Sequence, residues 1–90
     1  MFDIISSKYF DKKFAKLTKN NLSLKKQIVE TILKLAQDPK NPDLKSHKVH
    51  NFWSSSVNGD VRIVWIYSQN EVHVFELLDL GGHSGKNRVY

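Results

Sequence analysis

Ninety residues with fourteen Lys and Arg against nine Asp and Glu carry a net charge of +5, which suits one domain over 1–90 with a modest core and a surface that favours polyanions or an acidic protein partner. The absence of cysteine removes disulfides, cysteine-ligated zinc and a thiol nucleophile together. Residues 1–5 lack the basic flank and long apolar core of a signal peptide, and every apolar run is too short to span a membrane, so a cytoplasmic protein without membrane contact is expected.

Residues 2–5 are apolar and β-branched enough for a short strand, and Ser6 or Ser7 can then cap a helix by accepting an orphan backbone N–H. Phe10, Phe14 and Leu17 recur at helical spacing, with Lys12, Lys13, Lys16 and Lys19 mostly on the other side. Asn20-Asn21 ends that pattern. Asn21 or Ser23 can cap a second helix with the stripe Leu24, Ile28, Ile32 and Leu35, widened by Val29, Leu33 and Ala36. Glu30 and Lys34 are spaced as an i,i+4 ion pair. The helix should stop at Asp38-Pro39, because proline cannot continue the hydrogen-bond ladder.

Beyond Pro42 the period changes. Residues 44–49 are expected to connect, and 52–57, 60–67 and 72–80 read as three strands. Asn58-Gly59 predicts a two-residue type I′ turn, and Gln69-Asn70 a second two-residue turn. That pairing sets Arg62 opposite Ser55 and Leu77, with Trp53 opposite Val64, so Trp53, Ser55, Arg62, Phe75 and Leu77 share one face as the floor of a site. The fold class is α+β, in the order β-α-α-β-β-β, with two N-terminal antiparallel helices packed on a mainly antiparallel sheet.

Arg62 opens a hydrophobic strand, where a guanidinium needs an acceptor or an anion to offset its desolvation; Asp60, Asp79 and an RNA phosphate are the candidates. Of the four histidines, His73 alternates with valines and reads as sheet packing, and His50 as an exposed turn residue. His47 sits between lysines in Leu44-Lys45-Ser46-His47-Lys48-Val49, a segment suited to a nucleic-acid backbone. His83 carries the greatest functional weight, because Gly81-Gly82 permits close backbone approach to a ligand. It opens a tail with Lys86, Arg88 and Tyr90, the last able to stack on a base or contact a phosphate. Trp53 suits either the core or a base stack. The histidine spacings match no metal motif, so no metal or cofactor is expected, and Ser54, Ser55 and Ser56 sit in no nucleophile elbow.

The element order, the 44–49 segment, Trp53-Ser54, Asn58-Gly59-Asp60-Val61-Arg62-Ile63-Val64 and the ending from Gly82-His83 to Val89-Tyr90 together resemble the RelE/ParE toxin superfamily, closest to its RelE- and YafQ-like messenger-RNA interferases. The resemblance covers nearly the whole chain. It implies the toxin of a type II toxin–antitoxin pair, an endoribonuclease that cleaves mRNA, in RelE itself within the ribosomal A site, and is silenced by a cognate antitoxin. On that likeness Arg62, His83 and Tyr90 match the family's site positions, and His47 the histidine of YafQ-like members. RelE itself carries lysines where this chain has Trp53 and Ser55. The expected reaction is metal-independent attack of the RNA 2′-hydroxyl on the adjacent phosphate. His47 or His83 would be the base and the other the acid, Arg62 would stabilise the transition state, and Tyr90 would position the nucleotide. Lys45, Lys48, Lys86 and Arg88 would hold backbone, and Trp53 a base. The rival expectations are a ParE-like inhibitor of DNA gyrase and an inactive binding protein that keeps the fold.

Overall fold

A computed structural model describes residues 1–82 of the chain. Strand β1 (Asp3–Ser6) leads into helix α1 (Lys8–Thr18), whose N-cap Ser7 accepts the Phe10 N–H at 3.0 Å. Asn21 caps helix α2 (Leu22–Gln37) in the same way, accepting from Leu24 N at 3.0 Å. Each cap satisfies one of the donors that a helix start leaves without an intrahelical partner.

The two helices lay their stripes on one face of the sheet. Phe10, Ile28, Leu35 and Ala36 are buried, and Phe14, Leu17, Leu24 and Ile32 pack partly buried against the same core. Val29 and Leu33, expected to widen the buried stripe, are instead 42% and 52% exposed. Each helical position turns by about 100° from the last, so Val29 already points away from the side that Ile28 buries. Glu30 and Lys34 form no ion pair among the described residues; the pair that does form is Lys13 with Asp79, at 2.8 Å.

Strands β2 (His47–Val49), β3 (Phe52–Ser56), β4 (Val61–Tyr67) and β5 (Val74–Gly82) complete a five-stranded sheet in the order β1-β5-β4-β3-β2. β1 runs parallel to β5, and the other neighbours are antiparallel. The α+β class and its mainly antiparallel sheet are as expected. The segment read as a connector contributes the edge strand β2, so the described order is β-α-α-β-β-β-β. No helix among the described residues is long and apolar enough to cross a membrane.

Both turns differ from expectation, and the register moves with them. Between β3 and β4 the connection is Val57–Asp60 rather than two residues. The Asn58 side-chain oxygen accepts from Asp60 N at 2.7 Å and Val61 N at 2.9 Å, and neither Asn58 nor Gly59 takes the positive φ of a type I′ turn. An Asx turn has replaced it. Arg62 therefore pairs with Ser56, and Trp53 with Trp65, one residue away from the expected pairing, which exchanges the two faces of β3 relative to β4.

The β4–β5 loop spans 68–73, with Ser68 Oγ accepting from Asn70 N and Glu71 N, both at 3.2 Å. His73 lies in this loop, exposed, at φ 64°, its ring edge-on to Phe2 with the centroids 5.6 Å apart, and belongs to no strand. The longer loop moves the β5 register by three residues and a bulge between Val64 and Trp65 adds one more, so Arg62 pairs with Gly81 rather than Leu77.

The core lies between the helices and one sheet face, where Ile63, Trp65, Phe75, Leu77 and Leu80 are buried. Trp65 needs a partner for its indole N–H, and Ser55 Oγ accepts it at 2.8 Å. The same Ser55 hydroxyl shares a 2.6 Å hydrogen bond with Ser46. Trp53, Ser55, Phe75 and Leu77 thus stand on the helix-facing side, and Arg62 does not share their face.

Candidate functional site

Arg62 occupies the opposite face with Ser54 and Ser56. Its position rests on a piece of local structure seventeen residues earlier. Asn41 caps a single 3₁₀ turn, Pro42–Leu44, by accepting from Asp43 N at 2.9 Å, and buried Leu44 anchors that turn in the core. Lys45 then turns left-handed at φ 46°. Its carbonyl accepts the Arg62 Nη2 proton at 2.9 Å.

Arg62 is only 6% exposed. Its Nε donates to Ser54 Oγ at 2.6 Å, and Nη2 also donates to the Ser54 carbonyl at 2.8 Å and meets His47 Nδ1 at 3.2 Å. Neither Asp60 nor Asp79, the acceptors considered from the sequence, takes part: Asp79 belongs to Lys13, and no carboxylate of the described residues pairs with Arg62. Burial pushes the guanidinium below the ordinary arginine value, yet an arginine stays charged in a protein. Neutral oxygens solvate this cation without neutralising it, so its electrostatic complement is an anion.

His47 and Ser54 are cross-strand partners, which puts the imidazole on the Arg62 face. Arginine can only donate, so while the 3.2 Å contact holds, Nδ1 is the acceptor and the neutral ring carries its proton on Nε2. His47 is exposed, leaving that edge open to a ligand. The sequence missed Ser54 and the Lys45 carbonyl. Ser54 would have emerged from the correct register, whereas a carbonyl leaves no trace in residue type.

The other expected residues separate. Lys48 is the cross-strand partner of Trp53, so the two share the helix-facing side, away from Arg62. Lys45 has its side chain exposed beside Trp53 in a cleft on that same side. His50 sits in a turn at φ 56°, exposed, as expected. His83, Lys86, Arg88 and Tyr90 lie outside the described residues. Gly81, which faces Arg62 across the ladder, precedes His83 by two residues in the sequence. Among the described residues, no three His, Asp or Glu side chains converge to hold a metal.

Among solved structures, a metal-bound toxin from Helicobacter pylori is 30% identical and matches with a TM-score of 0.76 over 92% of this chain and 96% of that one. A YoeB/ParE toxin from Agrobacterium tumefaciens matches equally well, at 0.76, over 91% of this chain and 99% of that one with 14% identity. The E. coli DinJ–YafQ complex follows at 0.71 and 16% identity, over 92% and 94%. The last two speak for the fold alone. No family model matches the chain, and no curated protein matches it by sequence.

Proposed function

The chain belongs to the RelE/ParE toxin superfamily, and we propose that within it this protein is the toxin of a type II toxin–antitoxin pair that cleaves messenger RNA without a metal and thereby stops translation, probing mRNA in the ribosomal A site. The observation that carries this reading is Arg62: a buried cation held by neutral oxygens, with no carboxylate partner among the described residues and with a histidine at 3.2 Å. A phosphodiester supplies the missing negative charge, and its transition state carries more of it than the ground state. A preorganised guanidinium therefore favours the transition state.

RNA provides its own nucleophile. The 2′-hydroxyl oxygen bonds to the adjacent phosphorus as the bond to the 5′-oxygen breaks, leaving a cyclic phosphate and a free 5′-hydroxyl. A base must take the 2′ proton and an acid must give one to the leaving oxygen. In the resting geometry Arg62 occupies His47 Nδ1. An arriving phosphate offers the guanidinium a stronger, charged acceptor, which frees Nδ1 to accept the 2′ proton. His83 is then the acid, and Tyr90 positions the nucleotide.

A cognate antitoxin is the second partner. The E. coli YafQ structure is a complex with DinJ, and a +5 domain suits an acidic inhibitor.

The deciding experiment induces the chain in cells and maps new mRNA 5′ ends, with and without its genomic neighbour. New ends that vanish in His47→Gln and with the neighbour present are expected. Growth arrest with gyrase-dependent DNA damage and no new mRNA ends would place the protein with ParE-like gyrase inhibitors instead. A folded chain producing neither effect would mark an inactive binding protein.

A further inference from the structure

The face of the sheet opposite Arg62 carries a second feature. Where the helices leave the far end of β3 and β4 uncovered, the 39–46 segment and the sheet enclose a cleft of about 370 Å³, within the range of small-ligand sites. Its floor is aromatic: Trp53 stacks on Trp65 at 6.0 Å and 18°, and Tyr67 stands edge-on to Trp65 at 5.0 Å and 80°. Lys40 and Lys45, both exposed, are at its rim. Among the described residues no carboxylate lines it, and the carboxylate charge felt by its floor is that of Asp38 beside Tyr67.

The polar groups around this floor are mainly donors. Trp65 Nε1 and the Ser46 hydroxyl are already engaged with Ser55. Asn41 has its side-chain oxygen occupied by Asp43 N, which leaves its amide N–H₂ as the group on offer. Two ammonium groups and an amide donor ask for an acceptor-rich anion, and three clustered rings ask for a flat one.

We infer that this cleft is a nucleotide-binding site, taking a base against Trp53 and Tyr67 and the attached phosphate between Lys40 and Lys45. It lies back to back with the Arg62 site, because one residue serves both. The Lys45 carbonyl holds Arg62 Nη2 at 2.9 Å, while Lys45, exposed, is also one of the residues that line the cleft. A single strand crossing the β2 edge can then place one phosphate at Arg62 and a neighbouring nucleotide in the cleft. The choice of RNA over a free nucleotide as the source rests on the ribonuclease reading above, but the cleft chemistry does not.

Trp53 and Trp65 are the only tryptophans, so tryptophan emission reports directly on the cleft. The titrants are AMP, UMP and a 2′-O-methyl trinucleotide that cannot be cleaved. Saturable quenching by at least one of them is expected, weakened tenfold or more in the double variant Lys40→Ala, Lys45→Asn, with an unchanged melting temperature. Asparagine is chosen at 45 because it tolerates the left-handed backbone there. Quenching by the trinucleotide alone assigns the site to the RNA strand, and tight quenching by a mononucleotide with which the trinucleotide does not compete assigns it to a free nucleotide; either supports the cleft. Absence of saturable quenching, or quenching indifferent to the double variant, overturns it. Parallel assay of wild-type cleavage separates the two ideas: cleavage without quenching removes the cleft, and quenching without cleavage removes the ribonuclease.

Discussion

Arg62 Nη2 and His47 Nδ1 lie 3.2 Å apart, and this contact joins the two groups that the proposed cleavage uses into one unit. The donor is permanently charged and the acceptor is a titratable ring, so the arginine dictates which imidazole nitrogen is bare. Releasing that nitrogen requires something that competes for the guanidinium, and a phosphate does so.

Arg62→Lys should lower cleavage by about 10²–10³, the usual loss when one charged transition-state contact is removed. It should also cost stability, by about 1–3 kcal/mol, because one ammonium cannot serve Ser54 Oγ, the Ser54 carbonyl and the Lys45 carbonyl together. The side chain is buried and hydrogen-bonded within the fold, so a mutant that merely loses activity while melting as wild type is not expected. Cleavage of a labelled RNA and a denaturant titration measure the two effects.

His47→Gln should leave the fold intact, since His47 is exposed, while cleavage of a labelled RNA falls by about 10²–10⁴, the usual worth of a general base. RNA affinity measured by anisotropy should change little. Cleavage at the wild-type rate would move the base elsewhere.

Ser55→Ala should destabilise the domain by about 1–3 kcal/mol, because the buried Trp65 indole N–H loses its acceptor. The readout is a shift of the urea midpoint at unchanged slope. Ser55 lies on the helix-facing side, so catalysis by the folded fraction should persist.

Stability should decline in alkali. Burial and the nearby Asp38 charge raise the Tyr67 hydroxyl above its ordinary value. At Lys13, burial lowers the value, but the hydrogen bonds and charges of Asp79 and Tyr9 outweigh it and the net shift is upward. Both groups therefore hold their protons more tightly when folded. Their contribution is complete below the unfolded values near 10 and is lost as the pH rises through the higher folded ones. The melting temperature should fall above about pH 10, and less steeply in Tyr67→Phe and in Lys13→Met.

Antitoxin affinity should weaken as salt rises, because a +5 domain attracts an acidic partner through interactions screened beyond roughly 10 Å at 0.1 M salt. Titration calorimetry of the co-expressed neighbour at two ionic strengths tests this, and a salt-independent affinity would assign the interface to apolar contacts.

Local signals determined much of this protein. Ser7 and Asn21 cap helices because their side chains reach an N–H three residues on, and the Phe10 and Ile28 stripes follow from a period of 3.6. The strand segments showed themselves by β-branched and aromatic content, and the family was legible from the order of short motifs. What tertiary structure alone decided was register. An Asx turn at Asn58 moved β3 by one residue, and because side chains alternate, that offset took Arg62 off the face of Trp53 and Ser55, while the 68–73 loop and a bulge moved its β5 partner from Leu77 to Gly81. The Arg62 site then depends on a carbonyl at Lys45, placed by a left-handed turn that buried Leu44 anchors. Backbone groups are identical in every residue, so no reading of side chains along the chain could have found it.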